Sequence, residues 1–238
     1  MCRLLENLIT TYKLLDSHYG VIRLLKEVSD PDLNTIPAIV CRARALARKK
    51  YHKESLAEYE RACAIDNNNA WVIASRSESK KQMGRYEEAL ADLRQAIAPD
   101  KDPNRTLNNL LGLTLSYLER YTEAIEVYER ELADDPQDYS VLYNMAVAIT
   151  RFKGLSEGQY WIDLARNALL SKVETSERSH ALYGLAGLEA LTGNTDLSLM
   201  HLQQSIELGS DGGDWAQHDM AWLDLRTDPR FQSLIAIN

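Results

Sequence analysis

No long uninterrupted apolar run occurs in this chain of 238 residues, so no membrane contact is expected of it. Sustained apolar–polar alternation between hairpin turns is also missing, which removes the support for strands. Only three cysteines occur, Cys2, Cys41 and Cys63, odd in number, widely spaced and without a CxxC pair. Neither a disulfide framework nor a zinc site is therefore suggested, and a reducing compartment fits best. The five histidines, His18, His52, His180, His201 and His218, include no HExxH or close ligand cluster, so no metal or other cofactor is expected. The opening "MCRLLENLITTYKLL" carries Glu6 and lacks a small-residue cleavage site. It reads as an amphipathic helix rather than a signal or anchor, which points to the cytoplasm, or to the periplasm if a leader has been removed.

What remains is a soluble-type composition, 45% apolar and 26% charged, with a net charge of -8. That balance argues against a surface that coats nucleic acid or anionic membrane. Within it, "CRARALARKKYHK" (41–53) holds six Arg and Lys residues and no acid.

Self-comparison organises the chain. Glu54, Glu88 and Glu123 recur at spacings of 34 and 35, as do Tyr59, Leu93 and Tyr128, while Ala43, Ser77 and Gly112 keep step ahead of them. Repeats of 20–50 residues signal a solenoid. In each unit apolar and small residues return every three or four positions on both sides of a short turn, which predicts two helices. The third unit shows this best: Leu107, Leu111, Gly112 and Leu115 mark its first helix, Tyr121, Ala124, Ile125 and Tyr128 its second, and "DDPQD" its stop. Gly112 and Ala124 are small where two helix axes must approach.

"RTLNNLLGLTLSYLERYTEAIEVYERELADDPQD" resembles the tetratricopeptide repeat, carrying that motif's Leu111, Gly112, Tyr121, Ala124, Tyr128 and Pro136. The resemblance implies an all-α fold, a right-handed superhelix of about five repeats (36–69, 70–103, 105–138, 139–172 and 179–210). An N-terminal helical cap or degenerate repeat over 1–35 precedes them, and capping helices over 211–238 follow, where "LRTDPRF" looks like the ending of bacterial arrays. The first two units depart from the pattern. Arg42 replaces the usual Leu, and Arg76 and Lys80 stand at normally apolar positions. The fourth inserts about three residues in its turn and has Trp161 for the usual Ala.

Catalytic patterns are weak. "GLSEG" (154–158) matches GxSxG, but it falls between two helices rather than after a strand, so Ser156 reads as a helix N-cap with Gln159 completing a capping box. No catalytic residue is expected. "SDGGDWAQHD" and "PDKDPN" lack the calcium-loop pattern and read as turns, and Asn104-Arg105-Thr106 is a glycosylation sequon that matters only in a secreted chain.

No single unit buries enough apolar surface alone, and stacked units present an extended concave face. What the resemblance implies is a non-enzymatic scaffold that binds a peptide or partner protein there. Projected onto the family's geometry, the groove residues are Arg44, Arg48, Trp71, Lys81, Asn109, Tyr117, Tyr143, Asn144, Arg151 and Tyr183. That groove is cationic toward its N-terminal end and aromatic-polar toward its C-terminal end, suiting a segment with acidic and apolar side chains. The carboxylate-clamp set of chaperone-binding members is not preserved, since its positions hold Val40, Arg44, Ser75, Thr106 and Leu110. Two alternatives stand beside the scaffold: a regulatory or substrate-recruiting part of an enzyme, and nucleic-acid binding through 41–53 with Arg76 and Lys80. Exposed ends of the array would also allow homo-oligomers.

Overall fold

The computed structural model describes residues 35–48, 51–97, 105–210 and 212–236. Every regular element in them is helical. The cap expected over 1–35 and the loop "PDKDPN" thus fall almost wholly outside the described residues. The chain divides into two units, Met1–Pro103 and Asn104–Asn238.

In the first unit α1 (Ile36–Arg48), α2 (His52–Ile65), α3 (Ala70–Gln82) and α4 (Tyr86–Ala96) each pack on the next, and α1 also touches α3. The first helices of successive pairs therefore lie side by side. Asn69 caps the start of α3 by accepting the Val72 amide at 3.2 Å, an N-cap bond that satisfies an otherwise orphaned donor. Ile39, Val40 and Ala43 of α1 bury against Tyr59 and Ala62 of α2 and Val72 of α3.

The residues that break the apolar pattern are paired between the two helices of one pair. Arg42 is 7% exposed, and its Nη2 donates to Glu58 Oε2 at 2.5 Å. One period later Arg76 donates from Nε and Nη2 to Asp92 at 2.9 and 2.6 Å, and Lys80 reaches the same carboxylate at 2.7 Å. In the next period Leu111 and Val127 stand at these two positions. An ion pair thus occupies, in the first two helix pairs, the positions at which apolar residues stand in the third. Such a pair offsets its own desolvation only while both partners stay.

The second unit holds α5 (Arg105–Tyr117), α6 (Tyr121–Asp134), α7 (Tyr139–Lys153), α8 (Leu155–Leu170), α9 (Arg178–Leu191) and α10 (Thr195–Glu207). Again each helix packs on the next, while α5 touches α7 and α7 touches α9. Gly112 lets the fully buried Tyr128 ring lie against α5: a Cβ there would sit 2.4 Å from a ring carbon. The connection between α7 and α8 is one residue, Gly154, at φ 93°, a conformation that glycine adopts without strain. The extra residues expected in this turn instead lengthen the helices, to 15 and 16 residues. Ser156 lies inside α8 and makes no cap bond. The expected capping box is therefore corrected, because Gly154 is the N-cap and Gln159 donates to Asp163.

Beyond α10 the chain folds into α11 (Gly212–His218), a 3-10 helix (Met220–Leu225) and α12 (Pro229–Ile235). The stretch expected as a turn before the closing helix is thus itself helical. Asp228 caps α12 by accepting the Arg230 amide, with Pro229 at its first position, where a missing N–H costs nothing. Trp222 and Phe231 are fully buried with ring centroids 5.2 Å apart. Each contributes roughly 1.5–3 kcal/mol relative to exposure. Cys63 is a free, half-buried thiol.

Candidate partner-binding site

The residues expected in the groove, Arg48 apart, separate into committed and available groups. Arg44 and Trp71 are exposed, Trp71 at 48%. Arg48 has no described side chain. Lys81 is buried and its Nζ lies 2.7 Å from Glu78 on its own helix. The basic stretch is also less free than its composition implies, because Arg42 belongs to Glu58, and Arg76 and Lys80 to Asp92. Those three cations are not open to phosphate.

In the second unit Tyr143 and Tyr183 are buried at 7% and 8% exposure. Their hydroxyls both donate to Asp219 Oδ2, at 2.7 and 2.8 Å, and Asp219 Oδ1 accepts the Ala221 amide at 2.9 Å. One carboxylate from the closing segment therefore joins α7, α9 and the 3-10 helix. Burial and the adjacent Asp219 charge push both phenols well above their usual range. Gly187 makes room for this arrangement, since a Cβ there would lie 2.1 Å from the Tyr143 hydroxyl. Arg151 is similarly spent: it donates to the Met220 and Ala221 carbonyls at 2.8 and 3.1 Å and to Asp224 at 2.8 Å. Tyr117 packs against the same core.

Two groups stay accessible. Asn144 donates to Asn109 Oδ1 at 2.7 Å, and Asn109 donates to Ser140 Oγ at 3.4 Å, so two half-buried amides bridge α5 and α7. At the start of α9, exposed His180 lies beside Trp215 of α11, with centroids 5.4 Å apart and planes at 37°. The Tyr183 ring also meets Trp215, at 5.2 Å and 84°, and the indole stays 37% exposed. Edge-to-face contact of this kind is favoured by the ring quadrupoles.

Sequence reasoning missed Trp215 and Asp219. Asp219 stands directly before the apolar run "MAWL", and an acidic residue in that position is an N-cap signal. Nothing local marks Trp215, because its importance comes from α11 folding back beside α9.

The tetratricopeptide-repeat family model matches residues 76–139 and, overlapping them, 109–152. Tetratricopeptide repeat protein 28 of Homo sapiens and that of Mus musculus are each 24% identical over 156 residues, 64% of this chain but 6% of theirs. Among solved structures, MamA protein superposes with a TM-score of 0.56 at 15% identity, covering 74% of this chain and 95% of that one. Pseudomonas aeruginosa pilF gives 0.54 at 20% identity over 90% and 94%. With the helix pairs and the phased sequence, these show tetratricopeptide-type repeats over residues 76–152 and the all-α solenoid fold of the structures on which the chain superposes. That fold is in general a non-catalytic scaffold for protein–protein interaction.

No helix among the described residues is long and apolar enough to cross a membrane.

Proposed function

We propose that this chain is a non-enzymatic scaffold that grips an extended segment of a partner protein along the first-helix side of residues 104–238. The observation that carries the reading is the pairing of accessible amides with an accessible ring pair on successive first helices. Asn109 on α5 and Asn144 on α7 offer donors and acceptors to a backbone, and His180 with Trp215 offers a rigid apolar platform. Amides that bind main chain and rings that seat side chains are the usual division of labour in peptide recognition. Tyr143, Tyr183 and Arg151 serve this surface from behind, holding the closing segment in place rather than touching the partner.

Site-specific photocrosslinking tests this. A photoreactive residue at Asn144 or His180 is expected to capture a discrete partner from host extract, and one at Glu129, exposed on the second helix α6, is not. Capture from Glu129 alone, or from none of the three, overturns the assignment of the face.

A further inference from the structure

We infer that the His180–Trp215 ring pair is the seat for a cationic side chain, arginine or lysine, of a basic partner segment; this rests on the face proposed above and names its ligand chemistry.

Charge is divided unevenly between the two units. Residues 104–238 hold 20 Asp and Glu against 10 Lys and Arg, a net of -10, so with -8 for the whole chain residues 1–103 carry +2. Five of the ten cations in the second unit are already held by its own carboxylates: Arg120, Arg151, Arg166, Lys172 and Arg230. Each of these pairs also occupies a carboxylate, so the net charge of -10 is unchanged and is what a partner meets; a field of one sign draws the opposite charge.

The rings lie within that field. Asp214 precedes Trp215 on α11, while Glu177, the N-cap residue of α9 three positions before His180, is shared with Lys172. The exposed indole is the aromatic surface that attracts cations most strongly, through its ring quadrupole. Trp215 is also held in ring contact with both His180 and Tyr183. Tyr183 is fixed in turn by its bond to Asp219. A platform already ordered in the free protein loses little entropy on binding. This reverses the sequence-based expectation of an acidic ligand, which came from cations that the fold pairs internally or, like Arg44, places in the other unit.

The test is a titration of the full chain with two labelled nonapeptides, one bearing four arginines spaced by glycine and serine, the other with glutamate at those positions. The arginine peptide is expected to bind, more weakly as salt is raised, and the glutamate peptide not to bind. Trp215→Leu keeps an apolar filler while removing the ring, and is expected to weaken the arginine peptide about fivefold or more, as loss of one cation–π contact implies; Trp215→Phe is expected to restore part of the affinity. Melting curves of each variant exclude unfolding as the cause. Equal affinity of wild type and Trp215→Leu at every salt overturns the ring pair as the seat, and tighter binding of the glutamate peptide overturns the cationic ligand. Either result beside successful capture from Asn144 leaves the proposed function standing; absence of capture there defeats that function whichever peptide binds.

Discussion

The Tyr143 hydroxyl donates to Asp219 at 2.7 Å across 76 residues of sequence, and both groups are buried. Tyr183 donates to the same oxygen. A single buried acceptor therefore fastens the closing segment to two first helices of the second unit.

Replacing that acceptor leaves two buried phenols and one amide without partners. Each unsatisfied group costs about 1–3 kcal/mol, so Asp219→Ala is expected to lower stability by about 3 kcal/mol or more. Urea unfolding followed by circular dichroism measures this. A loss under about 1 kcal/mol would show that the carboxylate is not the fastening.

Asp92 is 5% exposed and balances both Arg76 and Lys80. Asp92→Ala strands those two cations and is expected to cost about 3–5 kcal/mol. The combined change Asp92→Val, Arg76→Leu and Lys80→Leu, which imitates the apolar pairing of Leu111 and Val127, is expected to recover most of that loss. A triple variant as unstable as the single one would contradict the reading of this cluster as a replaceable apolar contact.

The close approach at Gly112 gives a third expectation. A Cβ there meets three ring carbons of Tyr128 at 2.4–3.0 Å, and the ring has nowhere to move because it is fully buried. Gly112→Ala is expected to destabilise by about 1–3 kcal/mol through overpacking. Tyr128→Phe should not rescue it, since the clash involves the ring rather than the hydroxyl. Thermal unfolding of the single and double variants decides.

Alkaline pH supplies the fourth. Burial pushes the Tyr59 phenol up to about 12, and Tyr143 and Tyr183 are raised as well. Above pH 10 the unfolded chain releases phenolic protons that the folded chain keeps, so the stability these groups contribute is complete below pH 10 and falls as pH rises toward 12. Each such group steepens the loss by up to about 1.4 kcal/mol per pH unit. Urea midpoints at pH 8, 10 and 11 should decline only over the last interval, and Tyr59→Phe should flatten the decline.

The repeat phase was legible from local signals. Tyr59, Leu93 and Tyr128, 34 and 35 residues apart, are all buried at 2% exposure or less. Asp228 before Pro229 starts a helix where "TDPRF" suggests one. Arg42 had no sequence rationale, because its partner Glu58 is chosen by how two helices cross rather than by any spacing along one of them.

The chain's periodicity by itself determined that paired amphipathic helices form and which residues turn inward, since those depend on contacts within one helix pair, about 16 residues apart. Tertiary structure alone decided what each candidate groove residue is free to do. Tyr143, Tyr183 and Arg151 became internal when the closing segment returned to α7 and α9, and Trp215 became available through the same return. Contacts spanning 36 to 76 residues are set by the packing of whole helices, and no local pattern encodes them.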